Sequence, residues 1–207
     1  MNKLCKYIAG IMIASLTMGI AGCSLPGKTK LTHKNVCDAF DKFGAQELDD
    51  IFDLTEKVGA RSPQCEGGYY FTTDDGVMAQ YTYEKVIFRF GNAPECDIEE
   101  CTYFAETNEE NDSMLMLYVI TFEDEKYAKA LFDDTKEEFS YDDKNTSGSK
   151  NGYDYAVCTG ETTQLSMRGI YLQDNVIVYF RGFAPEKEGL KAYEGLIKDI
   201  GLVSPLK

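Results

Sequence analysis

The chain has 207 residues, of which 35 are acidic and 21 basic, giving a formal net charge of −14. A surface that acidic repels nucleic acid and anionic headgroups at long range, which argues against a nucleic-acid partner. The length, with 43% hydrophobic residues, suits one domain around one core.

The first residues read as an export signal. Lys3 and Lys6 supply a positive start, and Tyr7 to Ile20 form an uncharged apolar run interrupted by Gly10, Ser15, Thr17 and Gly19. A membrane-spanning helix needs about 20 predominantly apolar residues, so a cleaved signal suits this run better. Ile20, Ala21, Gly22 and Cys23 then place a branched apolar residue, two small residues and a cysteine in succession. On those four positions the N-terminus resembles the lipobox of bacterial lipoproteins. The small residues let a peptidase approach the bond before Cys23, and the thiol is the group that can be acylated.

The resemblance implies a signal peptide over residues 1–22, a lipid anchor on Cys23 and a place on the extracytoplasmic face of the cell membrane. The lipid bilayer is the one partner it implies. Two or three acyl chains, at about 0.8 kcal/mol per buried methylene, hold a protein where a single chain would be marginal. Residues 23–31, with Pro26 and Gly27 inside them, then read as a tether to a domain spanning 32–207. Losing Lys3 and Lys6 makes the mature chain more acidic still. The resemblance ends at Cys23 and implies no activity for the domain.

Within the domain, Thr32 predicts the cap of a helix that turns Val36, Cys37, Phe40 and Phe43 inward and stops at Gly44. Residues 45–57 place Leu48, Ile51, Phe52 and Thr55 at helical spacing, predicting a second helix. Residues 58–68 read as loop and 69–72 as extended. Residues 77–90 carry opposed signals, with strand-like aromatic and β-branched content set against Asp74 or Asp75 as a helix cap and Gly91 with Pro94 as a stop. Helix is the reading adopted, because a strand of that length would far exceed the usual ~5–6 residues.

Cys101 to Ala105 and Met114 to Phe122 read as strands around an acidic turn. Thr121 and Asp124 follow as a capping box for a helix with Tyr127, Ala128, Leu131, Phe132 and Thr135 on one face. Residues 141–152 read as loop. Three strands at 153–158, 163–172 and 175–183 follow as a meander, turning through Thr159-Gly160 and Gln173-Asp174. A last helix from Pro185 to Gly201 turns Leu190, Tyr193, Ile197 and Ile200 inward. Tyr118, Phe122, Glu125, Lys126 and Phe132 recur at identical spacing as Tyr179, Phe183, Glu186, Lys187 and Tyr193, which raises two related β-β-α halves. The expected class is α+β, an antiparallel sheet with helices packed on one face.

With Cys5 in the signal and Cys23 acylated, Cys37, Cys65, Cys96, Cys101 and Cys158 remain. That odd set allows at most two disulfides, and either a Cys96–Cys101 bridge or buried free thiols fits it. The only histidine, His33, stands beside the tether and reads as a solvated first-turn residue. No phosphate-binding loop, dinucleotide fingerprint, zinc-protease helix or nucleophile elbow occurs.

Paired acids such as Asp49-Asp50, Asp74-Asp75 and Asp133-Asp134 admit a hydrolase using two carboxylates, but solvated surface is their default and the chain has no tryptophan for sugar stacking. Asp143, Asn145 and Ser147 alternate ahead of Gly148, with Asp154 at the twelfth position, a spacing that resembles an EF-hand-type calcium loop. Lys150 and the Asp in place of a terminal Glu depart from it. The leading expectation is therefore a lipid-anchored binding or envelope-associated module, with an extracytoplasmic, calcium-assisted hydrolase as the alternative.

Overall fold

Thr32 ends the extended entry of the chain by accepting a hydrogen bond from the Asn35 amide, and so starts helix α1, His33–Phe43. Gly44, at φ +91°, ends it in the left-handed conformation that only glycine adopts without cost. The computed structural model describes residues 30–59, 67–87, 96–108, 112–142, 144–161 and 164–206. After α1 come strand β1 (Gln46–Glu47), helix α2 (Ile51–Gly59), strand β2 (Gly67–Thr73) and helix α3 (Gly76–Tyr81), which runs on as a π-helical turn over Thr82–Ile87. Strands β3 (Ile98–Asn108) and β4 (Ser113–Phe122), helix α4 (Glu125–Phe139), strands β5 (Lys144–Lys150), β6 (Tyr153–Glu161), β7 (Leu165–Gln173) and β8 (Val176–Ala184), and helices α5 (Lys187–Lys191) and α6 (Glu194–Asp199) complete it.

The strands form one sheet in the order β1-β2-β3-β4-β8-β7-β6-β5, antiparallel except where β1 meets β2. The α+β class holds, but the helices cover both faces of the sheet. On β4, Leu115, Leu117 and Val119 join a core roofed by α1, α5 and α6. Tyr118, Ile120 and Phe122, pointing the other way, join a second core under α2, α3 and α4. The physical reason lies in the central strands, which are apolar at both parities and therefore need burial on both sides. Phe40 of α1 stacks on Phe104 of β3 at 4.6 Å on the first face.

The two-halves expectation survives in the strands alone. Tyr118 and Tyr179 are register partners at the seam between β4 and β8, and the triplets β2-β3-β4 and β6-β7-β8 run outward from that seam in matching order. A twofold through such a seam keeps each face on its own side. Yet Phe132 of α4 lies in the second core and its counterpart Tyr193 in the first, so the following helices are not equivalent.

Other expectations shift locally. The helix expected from residue 45 begins at Ile51, because Gln46 and Glu47 pair with Tyr69 and Tyr70 as a strand; Leu54 rather than Phe52 turns inward, and Phe52 is 54% exposed. Residues 76–87 are helical as read, capped by Asp75 on the Val77 amide at 2.9 Å, and 88–90 lie outside the described residues. Asp124 alone caps α4, while Thr121 stays in β4. The segment read as loop at 141–152 contains β5, an all-polar edge strand turned by Asn151 (φ +54°) and Gly152 (φ +89°). Thr159-Gly160 does not turn, since β6 continues to Glu161. The last helix breaks at Ala192-Tyr193 into α5 and α6, each carrying a helix-weakening glycine, Gly189 and Gly195. The four residues expected inward there are all buried.

Candidate functional site

Leu31 enters the fold at one end of the sheet. It is 2% exposed, and its amide donates to Gln173 Oε1 at 2.8 Å, while Gln173 Nε2 donates to the Gly152 carbonyl at 2.9 Å. The β5–β6 and β7–β8 turns both lie at that end. At the other end, where β6 finishes and β7 begins, a cavity of about 310 Å³ opens between the first face of the sheet, α5 and the C-terminal segment. Its floor is apolar, from Val157, Leu165, Leu190 and Val203, and its rim carries Lys144, Thr159, Glu161 and Lys187. Lys144 Nζ lies 3.3 Å from Glu161 Oε1, both side chains being exposed. The tail that closes the cavity is held by the Tyr153 hydroxyl, which donates to the Gly201 carbonyl at 2.9 Å, and by the Tyr171 hydroxyl, which donates to Val203.

Two further polar clusters hold elements together. His33 is 5% exposed, contrary to the expectation of a solvated ring, with Nδ1 at 2.7 Å from Thr102 Oγ1 and Nε2 at 2.9 Å from Thr121 Oγ1. Thr72 Oγ1 extends the chain to Thr102 at 2.8 Å. Burial pushes the His33 pKa down from 6.5 to about 4, so the ring is neutral at pH 7. The hydroxyls on three strands that make this cradle carry no sequence motif, which is why the burial was not foreseen. On the second face, Arg168 of β7 reaches Glu138 at 2.6 Å and Asp142, and lies 4.8 Å over the Phe139 ring.

Of the calcium-loop residues singled out by sequence, Asn145 lines the cavity, and Ser147 and Asp154 do not. Cys23 and Asp143 lie outside the described residues. Asn145 and Ser147 sit on β5, registered with Cys158 and Ala156, and Asp154 on β6 is registered with Ser149. In an extended strand alternate side chains stand about 7 Å apart, so the turning loop that would gather these oxygens is not formed. Asn145 Nδ2 donates instead to the Asp142 carbonyl at 2.9 Å, and the Ser149 hydroxyl donates to Asp154. No group of three His, Cys, Asp or Glu side chains gathers among the described residues.

Asp49, Asp50, Asp74, Asp75, Asp133 and Asp134 are all exposed. Cys37, Cys101 and Cys158 are free thiols, so Cys96 and Cys101 are not bridged, and Cys65 lies outside the described residues. Burial pushes Cys37 up to about 11 and Cys158 up to about 12, which keeps both protonated and poorly nucleophilic. Among the described residues, the cavity brings in one carboxylate, Glu161, and no aromatic ring.

No family model and no curated relative matches the chain. Among solved structures it is similar to the extracellular domain of PknH from Mycobacterium tuberculosis, at 10% identity and a TM-score of 0.37, over 83% of this chain and 97% of that one. It is also similar to an uncharacterised protein from Mycobacterium smegmatis, at 9% identity and a TM-score of 0.31, over 74% of this chain and 96% of that one. Likeness at that level transfers neither fold nor activity.

Proposed function

We propose that the protein is an extracytoplasmic lipoprotein, acylated at Cys23, whose domain holds a small-ligand cavity away from the bilayer. The observation that carries this reading is the opposed placement of Leu31 and the cavity at the two ends of the sheet. A tether over residues 23–31 spans at most about 30 Å when fully extended. Strands β6 and β7, nine residues each, add about 30 Å at ~3.4 Å per residue. The cavity mouth so clears the headgroups and faces solvent. Binding is favoured over hydrolysis because the one carboxylate among the described lining residues, Glu161, is paired with Lys144, and no second acid among them completes a catalytic pair.

Cell fractionation of the wild type and Cys23→Ser, with intact-mass measurement on the membrane material, tests the anchor. The expected result is wild-type chain in the membrane fraction, beginning at an acylated Cys23, and a variant that bears no acyl chain. Wild-type material that retains residues 1–22, or that carries a bare sulfur at residue 23, overturns the reading.

A further inference from the structure

The chemistry of the cavity narrows what it can take, and building on the binding role just proposed, we infer that its ligand is a small aliphatic monocarboxylate, with the acid group on Lys187 and the chain on the apolar floor. Charge is the first argument. Lys144 is spent on Glu161 at 3.3 Å, whereas Lys187 makes no ion pair among the described residues. Among the described residues, Lys187 is therefore a lining cation held in no ion pair, with only the longer-range charge of Glu188 acting on it, over an apolar floor in a chain of net charge −14. It selects an anion against a cation, and a single charge against a double one, because a dianion would meet Glu161 with no second unpaired lysine among the described lining residues.

The lining supplies the second argument. Val157 and Leu190 are buried at 3% and 2% exposure, and Leu165 is half-buried beside them, a surface that rewards apolar burial. Because no aromatic ring among the described residues lines the space, neither a nucleobase nor a sugar ring finds a stacking platform there. A flexible aliphatic chain needs none. The Thr146 and Thr159 hydroxyls at the same rim can donate to the carboxylate oxygen that Lys187 does not hold. Size agrees as well, since 310 Å³ is at the small end of ligand sites, which run from about 300 to 1,000 Å³.

The test is calorimetric titration of the full-length chain in lipid nanodiscs with octanoate, octanol, octylamine and octyl phosphate, with empty nanodiscs as the blank for partitioning. Octanoate is expected to bind most tightly. Lys187→Met, which keeps an apolar stem on an exposed residue, is expected to weaken octanoate roughly fivefold and leave octanol unchanged. Glu161→Gln frees Lys144 and is expected to tighten octanoate and admit octyl phosphate. Octylamine binding as well as octanoate, octyl phosphate outbinding octanoate on the wild type, or an unaltered octanoate affinity in Lys187→Met overturns the inference. Silence from all four probes overturns the cavity's binding role with it, whereas the anchor is judged separately by fractionation.

Discussion

The Nε2 atom of His33 lies 2.9 Å from the Thr121 hydroxyl, which ties the first residue of α1 to the penultimate residue of β4. With Nδ1 on Thr102, the ring bridges two neighbouring strands and fixes the helix just where the tether enters. Replacing His33 by Ala removes both bonds and leaves a cavity beside the buried Thr102 hydroxyl and the partly buried Thr121 hydroxyl. The expected cost is about 2–4 kcal/mol by urea titration, with His33→Gln, which restores one bond, losing less. A loss under about 0.5 kcal/mol would show that the bridge contributes nothing.

The same ring and a glutamate on β3 make opposing contributions to pH dependence. His33 titrates at 6.5 when unfolded and about 4 when folded, so between those values the unfolded chain binds a proton that the folded chain refuses, and falling pH removes stability. Glu106 runs the other way. Burial raises its carboxyl from 4.5 to about 7, with Oε2 buried and unpartnered among the described residues, so rising pH removes stability across that interval. The two slopes offset each other between about 4.5 and 6.5. Glu106→Gln is expected to leave the His33 slope unopposed, with stability relative to wild type falling as pH drops from 7 to 4.5, the interval over which Glu106 takes up its proton. His33→Gln is expected to show the reverse, relative stability falling as pH rises from 4 to 6.5. Urea unfolding at half-unit pH steps reads both differences, and parallel curves for all three proteins would refute the offset.

Arg168 joins the end of α4 to β7 through Glu138, Asp142 and the Phe139 ring. Asp142 is partly buried and Glu138 largely exposed, so removing the guanidinium strands chiefly Asp142. Arg168→Met is expected to cost about 1–3 kcal/mol and to fray the last turn of α4 in hydrogen exchange. Arg168→Lys is expected to recover little, because a single ammonium cannot serve two carboxylates and a ring face at once. Full recovery by lysine would reduce the site to a simple point charge.

Legibility in the sequence followed the range of the interactions. Helix α1 was readable because Thr32, Gly44 and the apolar spacing between them are local, and α4 was readable in outline for the same reason. Two-sided coverage of the sheet was visible in principle in the unbroken apolar run of β4, but that pattern does not say which helices fall on which face. Strand β5 is illegible because KNTSGSK offers no apolar alternation; only its pairing with β6 and the Asn151-Gly152 turn make it a strand. The cavity was not legible at all, since Lys144, Glu161, Leu165 and Lys187 belong to four elements whose meeting depends on the sheet order.

Gly169 offers a test of the packing that stands behind the cavity's tail. It is the register partner of Phe180, and a Cβ built on it would come within 2.7 Å of the Phe180 ring and 2.8 Å of the Tyr171 hydroxyl. Neither neighbour has room to yield, since both side chains are fully buried and the Tyr171 hydroxyl is committed to the Val203 carbonyl. Gly169→Ala is therefore expected to cost about 1–3 kcal/mol, the usual range for overpacking, and to raise hydrogen exchange at residues 201–206. Shrinking the neighbour should relieve the clash. In a cycle with Phe180→Leu, the double variant is expected to lose at least about 1 kcal/mol less than the two single losses added together. Additive losses would mean that the cost of Gly169→Ala does not arise from Phe180 and that the close approach of Phe180 does not hold the tail in place.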